Sequence, residues 1–378
     1  MKSFFTITHF DNNTSARTGV LHTSRGKITT PCFLPVGTHG AVKTQSSEEI
    51  NNLPSTILLG NTYHLYLRPG TEILSKAGGL HKFMNWEGVI LTDSGGFQIY
   101  SLKGFRKITS DGVIFRSHLD GSEHYFTPEK IIDIQRIIGS DFMMMLDICP
   151  PGDADKKTWI DAVNTTTLWA QRGMKQYQNT SSLYGHEQIL IPVVQGGTDK
   201  NLRKQSAMEL CALDADAYAI GGLAVGELKP KMLETVEWMN EFLPKEKPRY
   251  LMGVGTPVDL VENVSRGIDM FDCVMPTRNA RNGQLFTFNG KINIRNSKFK
   301  KDFSPIDCND FSPMSESYTK AYLHHLFKTE EILGYRIATQ HNLRFYIFLM
   351  KTMQNEIQKG TFESWIKEFV DRFNNSIV

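Results

Sequence analysis

The feature that most constrains this chain is a short apolar run that recurs eight times, each ending in a polar or glycine-rich turn. The runs are PCFLPV (31–36), TILLG (56–60), GVILT (88–92), FMMMLD (142–147), ILIPVVQ (189–195), AYAIGG (217–222), YLMGV (250–254) and MFDCV (270–274). Each is nearly continuously apolar and rich in Ile, Leu, Val or Met, as parallel strands covered on both faces are. Helical patterns separate most of them. PEKIIDIQRIIGS opens with Pro at a first helical turn and sets Ile131, Ile132, Ile134, Ile137 and Ile138 largely on one side. Others cover 157–179, 199–213, 228–242 and 257–266. Eight strand–helix alternations predict an α/β chain closed into a (β/α)8 TIM barrel, with a doubly wound open sheet as the competing arrangement.

Two insertions interrupt the alternation. Residues 105–127 carry DG at 111–112 and 120–121 and read as a β-hairpin, and the N-terminal 4–30 look similar. After the eighth run, LFTFNGKINI is a further hairpin, followed by helices over 318–333, about 340–358 and 362–373. The chain 1–378 is expected to form one barrel domain, with 284–345 as a C-terminal insertion and helical appendage. A composition of 40% hydrophobic and 22% charged residues fills a large core and excludes a disordered or fibrous chain. No apolar run reaches the length of a membrane span, and the start MKSFFTITHFDNN lacks a signal-peptide pattern. Five scattered cysteines (Cys32, Cys149, Cys211, Cys273, Cys308) argue against a disulfide framework, so a cytoplasmic protein is expected.

In such a barrel the active-site residues come from the C-terminal ends of the strands. Those ends read VGTHG (36–40), GNT (60–62), DSGGFQ (93–98), Asp147, QGG (195–197), GGLAVGE (221–227), GVGTP (253–257) and FDCVMPTR (271–278). Turns favour glycine and aspartate anyway, but that does not account for three carboxylates and a glutamine closing otherwise apolar strands. Asp93, Asp147 and Asp272 therefore share one rim. Two carboxylates facing a sugar–base bond can divide the work, one attacking the anomeric carbon while the other moves protons. A divalent cation would recruit the same oxygens, and the pattern alone leaves both open. A formal charge of +2 decides nothing about partners. The stretch from Arg278 to Lys301, however, holds seven basic residues (Arg278, Arg281, Lys291, Arg295, Lys298, Lys300, Lys301) and no acidic one. Beside the rim, it suggests a polyanion whose phosphates are positioned there.

Taken together, DSGGFQ, QGG, GGLAVGE, GVGTP, FDCVMPTR with Arg281-Asn282-Gly283, YTKAYLHHLF (318–327) and HNLRFY (341–346) resemble bacterial tRNA-guanine transglycosylases, collinearly from about residue 15 to the end. The resemblance implies a (β/α)8 barrel with a C-terminal insertion. It also implies a pentosyltransferase that replaces the wobble guanine of a tRNA anticodon with a 7-deazaguanine base, queuine or 7-aminomethyl-7-deazaguanine, in queuosine formation. Carried over, Asp272 is the nucleophile that bonds to the ribose, and Asp93 is the general acid/base. Ser94, Gly95, Gly96, Asp147, Gln195 and Gly222 match the base-binding positions, with Phe97 and Met252 as the stacking pair. Gly253, Val254, Gly255, Thr256, Pro257, Val258 and Asp259, with Thr277, Arg278, Asn279, Ala280 and Arg281, match loops that hold the anticodon. Lys43, His64, Tyr318 and Tyr322 match a cluster at the family's homodimer interface.

Two departures stand out. The family's structural zinc is held by three cysteines and a histidine. Here the matching positions are Asp310, Ser312, Ser315 and His341, with Cys308 as the nearby thiol, so no cofactor is expected. Bacterial relatives commonly carry Asp-Glu-Cys where this chain has Asp147-Ile148-Cys149, while Val225 and Glu227 remain. Loss of that carboxylate predicts a weaker preference for the aminomethyl base. Two other functions compete: a non-catalytic tRNA-binding partner subunit, and a metal-dependent hydrolase using the three aspartates on a nucleoside. The presence of Asp93, Asp147, Gln195 and Asp272 together favours the transglycosylase.

Overall fold

The structure is a computed structural model that describes residues 4–54, 57–101, 106–307 and 313–375. Each of the eight apolar runs holds a strand, and these strands pair only in parallel, in two sheets. One sheet runs Ile189–Ile191, Phe142–Met144, Val89–Thr92, Ile57–Gly60. The other runs Val193–Val194, Tyr218–Ile220, Arg249–Leu251, Met270–Asp272, Cys32–Leu34. The fifth run is split at Pro192, which has no N–H to give to a ladder. A single parallel bridge, Val36 to Leu59, links the first run to the second.

Although the runs are apolar throughout, their side chains sort with the period of two that strands impose. Leu34, Leu59, Leu91, Met144, Ile191, Ala219, Tyr250 and Met270 share one buried cluster. Their neighbours Phe33, Met143, Leu190, Ile220, Leu251 and Phe271 fall in another cluster, together with helical residues such as Val236, Val261 and Leu349. The N-terminal strands Phe5–Phe10, Arg17–Thr23 and Gly26–Thr30 form an antiparallel sheet, as do Arg106–Ile108, Val113–Arg116 and Glu123–Phe126. Both insertions thus add a third strand to the predicted hairpin. Arg17 fastens the first to the parallel strands through a two-pronged contact with Asp269, Nε to Oδ1 at 3.0 Å and a terminal nitrogen to Oδ2 at 2.6 Å.

The predicted hairpin after the eighth run is Gln284–Thr287 paired with Gly290–Asn293. The helices that follow differ from expectation. The chain breaks at Thr329–Glu331, where Glu330 takes φ +58°, and then runs as one 28-residue helix, Ile332–Lys359. No proline or glycine interrupts 335–359, and burial of Ile337, Leu343, Phe345, Leu349 and Met353 holds the helix together. This helix lies behind the strand ends. Tyr346 packs on Phe33 with ring centroids 4.8 Å apart and donates from its hydroxyl to Gly255 O at 2.5 Å. Asn342 donates to Pro276 O and Gln284 O, both at 3.0 Å, and accepts from Phe286 N.

Candidate active site

The strand ends converge on a cavity of about 450 Å³ lined by Asp93, Ser94, Gly96, Phe97, Asp147, Gln195, Gly222, Met252 and Asp272. The eight positions expected to bind the base and both candidate catalytic carboxylates face one space.

Asp93 follows strand Val89–Thr92 and is held from one side. Its Oδ1 accepts from Thr62 N at 2.9 Å and Gly95 N at 3.1 Å, while Asn61 Nδ2 donates to its Oδ2. Asn61 cannot turn freely, because its own Oδ1 caps helix Thr62–Leu65 by accepting from His64 N at 3.0 Å. Asp147 lies beyond strand Phe142–Met144. It accepts from Gln195 Nε2 at 2.7 Å on Oδ2 and from Ser94 Oγ at 3.2 Å on Oδ1. Gln195 Oε1 is buried with no hydrogen-bond partner among the described residues. An orphan acceptor of this kind is costly unless a ligand supplies the donor. Glycines are required at two points. A Cβ on Gly96 would stand 2.7 Å from Asp147 O, and one on Gly222, at φ +66°, would stand 2.5 Å from Gln195 Oε1.

Beneath the turns lies Arg203, fully buried on helix Lys200–Cys211. It donates to Gly197 O at 2.8 Å, Val194 O at 2.9 Å and Gly222 O at 3.3 Å, clasping the turns that carry Gln195 and Gly222. Asp272 ends its strand and accepts on one oxygen, Oδ1, from Tyr250 Oη at 2.6 Å and Gly253 N at 2.9 Å.

Burial raises all three carboxyls. Asp93 is pushed up to about 7, chiefly by desolvation, with the Asp272 charge adding to it. Desolvation pushes Asp147 up to about 6, against the hydrogen bonds from Gln195 and Ser94. Asp272 is likewise raised by burial, while Tyr250 and then Gly253 pull it back. Above the carboxyls, Phe97 stays 53% exposed, a large aromatic face left open beside Met252.

The two segments expected to hold the anticodon each reach this cavity, through Gly253 and Arg278. Within 253–259, Gly253 reaches the cavity, and Thr256 caps helix Pro257–Val264 by accepting from Asp259 N at 3.1 Å. Asp259 pairs with Lys229 at 2.9 Å. The side chains of Val254, Pro257 and Val258 are buried and shape this segment from within. Helix Met275–Arg281 carries the second segment. Arg278 is exposed and lines the cavity. Asn279 donates to Gln284 at 2.7 Å, Arg281 to Thr277 O at 2.8 Å, and Thr277 and Ala280 are buried. Lys291, Lys298, Lys300 and Lys301 are exposed, and among the described residues none pairs with a carboxylate.

One expectation is corrected. Ile148 does not line the cavity between Asp147 and Cys149. Its side chain is buried in the cluster that holds Leu146, Ala162 and Trp169, on the far side of the turn, as alternation along an extended chain requires. The lack of a carboxylate at position 148 therefore takes no charge from the lining of this cavity. Of the family's zinc positions, Asp310, Ser312 and the nearby Cys308 lie outside the described residues. Ser315 and His341 are described, and they hydrogen-bond to each other. Phe286 O accepts from His341 Nε2 at 2.8 Å, which leaves Nδ1 as the acceptor for Ser315 Oγ at 2.6 Å. The lone pair a metal needs is engaged by a hydroxyl.

Asn61, Arg203 and Tyr250 were not singled out from the sequence. Asn61 was visible as a polar residue in a strand-end turn. Tyr250 was visible as the one hydroxyl in the run YLMGV. Nothing local marks Arg203, whose partners lie on two other turns.

Paired, partly buried carboxylates, one aimed by donors on a single oxygen and the other poised near neutrality, equip an enzyme for glycosyl transfer. The sequence model of the family described as queuine tRNA-ribosyltransferase matches residues 11–375. A queuine tRNA-ribosyltransferase of Caldanaerobacter subterraneus subsp. tengcongensis is 52% identical over 365 residues, 96% of each chain. One of Staphylococcus epidermidis is 48% identical over 364 residues, covering 96% of this chain and 94% of the relative. One of Halothermothrix orenii is 46% identical over 375 residues, 99% of each. The chain belongs to the queuine tRNA-ribosyltransferase family. Among the described residues, no helix is long and apolar enough to cross a membrane.

Proposed function

We propose that this protein replaces the wobble guanine of a tRNA anticodon with a 7-deazaguanine by two displacements at one ribose carbon. The observation that carries the reading is the contrast between Asp272, hydrogen-bonded on one oxygen only, and Asp93, raised to about 7 in the same cavity. Asp272 attacks C1′ as the C1′–N9 bond breaks. The departing guanine takes the bonding pair and a proton from Asp93. The incoming base gives its N9 proton back to Asp93, and its electron pair forms the new C–N bond as the C1′–Asp272 bond breaks. A group with a pKa near the working pH serves both proton transfers. Two inversions at one carbon retain configuration. The unpartnered Gln195 Oε1 and the Asp147 carboxyl offer acceptors to the edge of the base, and Phe97 and Met252 offer apolar faces to its plane. The exposed Arg278 and the unpaired lysines 291, 298, 300 and 301 suit the phosphates of a tRNA. Labelled guanine should enter unmodified tRNA with the wild-type enzyme and not with Asp272→Asn. An undiminished rate in that variant would remove the nucleophile from the scheme.

The parallel pairings support a closed (β/α)8 barrel comprising one domain over 1–378. The Val36–Leu59 bridge and the continuity of the chain through Pro192 would join the two sheets into a ring. A homodimer and a cytosolic setting, where tRNA substrates reside, complete the proposal. The dimer draws support from exposed Lys43 and from Tyr322, which is 41% exposed and stacked on Tyr318 at 5.7 Å. Sedimentation equilibrium tests it. We further propose that the appendage folds without zinc, because Ser315 occupies the His341 nitrogen that a metal would use. Metal analysis finding one zinc per chain, or melting that drops on chelation, would reject this.

A further inference from the structure

We infer that Tyr250 is the positioning residue of the nucleophile, aiming one oxygen of Asp272 at the sugar by holding the other. The inference rests on the reading of Asp272 given above. Tyr250 is the middle residue of strand Arg249–Leu251 and pairs in register with Met270, two residues before Asp272. Residues two apart on a strand share a face, so the phenol stands one layer below the carboxylate and its hydroxyl reaches up to it. The ring is fully buried among Leu34, Leu59, Leu91 and Met144. A phenylalanine would fill that space equally well. The hydroxyl is tolerable there only because it has a partner, and that partner is Asp272 Oδ1 at 2.6 Å, the length of a hydrogen bond to a charged oxygen.

The asymmetry of the contacts gives the inference its content. Both donors, Tyr250 Oη and Gly253 N, fall on Oδ1, and among the described residues no hydrogen bond reaches Oδ2. Asp272 lines the cavity, so Oδ2 is the oxygen free to form the bond to C1′. Once that ester exists, Oδ1 becomes its carbonyl oxygen, still facing the same two donors. In the second displacement the C1′–Oδ2 bond breaks and its electron pair returns to the carboxylate. Tyr250 and Gly253 then stabilise the charge that develops on Oδ1, as an oxyanion site does. One pair of donors thus serves both half-reactions. Tyr250 also leads the contacts that keep Asp272 ionisable despite its burial.

Tyr250→Phe tests this. We expect the variant to bind tRNA with an unchanged KM and to form the covalent tRNA adduct ~10–100-fold more slowly, the scale of one charge-assisted hydrogen bond. The acid limb of the pH profile of kcat/KM should move to higher pH, because the charged form of Asp272 loses a donor. A purely structural phenol would move neither the limb nor kcat. Adduct formation and a pH profile within twofold of wild type in folded Tyr250→Phe would overturn the inference. Should that variant fail to fold, site-specific 3-fluorotyrosine at 250 keeps the ring and strengthens the donor, and the acid limb should then move to lower pH. No movement there would equally overturn it. Asp272→Asn is run alongside. An adduct in that variant would defeat the nucleophile assignment itself, whatever Tyr250→Phe does.

Discussion

Replacing Asp93 with Asn should make the protein more stable in alkaline solution while it abolishes base exchange. The unfolded chain ionises this carboxyl near 3.8, but burial delays ionisation to about 7 in the folded state. Between those values the folded state holds a proton that the unfolded state has released, so stability falls as the pH rises. At about 1.4 kcal/mol per pH unit, the full cost is about 4 kcal/mol above pH 7, of which roughly 1.6 kcal/mol is already present at pH 5. An amide never ionises, so the variant escapes the whole of this loss. It keeps the oxygen that accepts from Thr62 N and Gly95 N, but its nitrogen confronts Asn61 Nδ2, at about 1–2 kcal/mol. The two proteins should be nearly equal at pH 5, with the variant about 2–3 kcal/mol more stable at pH 8. For a chain of this length that is about 3 °C in Tm. Urea unfolding of both proteins from pH 5 to 8 measures the gap. A gap that stays flat, or narrows as the pH rises, refutes the assignment of a burial-raised pKa to Asp93.

Three further outcomes follow from the geometry. Gly222→Ala places a Cβ 2.5 Å from Gln195 Oε1 at φ +66°, so KM for guanine should rise at least tenfold, read in steady-state exchange, with a stability loss of about 1–3 kcal/mol. Arg203→Met strips the carbonyls of Gly197 and Gly222 of their donor, while Val194 O keeps Gly221 N, and should cost about 2–3 kcal/mol in urea unfolding. Arg278→Ala should weaken tRNA binding and flatten the dependence of log Kd on log salt by about 0.7–0.9, leaving the KM for free base unchanged.

The strand ends were legible because buried parallel strands leave so little else for a polar residue to do. Asp93, Asp147, Gln195 and Asp272 each end an apolar run, and all four meet in the cavity. The groups that hold them were less visible. Tyr250 and Arg203 sit inside apolar or amphipathic segments, and their partners come from other strands and turns, so the local pattern shows a lone hydroxyl at 250 and nothing at 203. Ile148 misled for a related reason. Adjacency to Asp147 in sequence does not bring Ile148 into the pocket, because neighbours on extended chain point in opposite directions. The boundary near Glu330 was missed because the helix ends there without the glycine or proline that usually signals a stop.

Helix Ile332–Lys359 acts as a splint behind both segments proposed to handle tRNA. Tyr346 grips Gly255 in one, and Asn342 grips Pro276 at the edge of the other. Damage to the distal appendage would then travel along this rod and be felt as a loosened hold on the nucleic acid. The base pocket, clasped independently by Arg203, would keep its affinity for the free heterocycle.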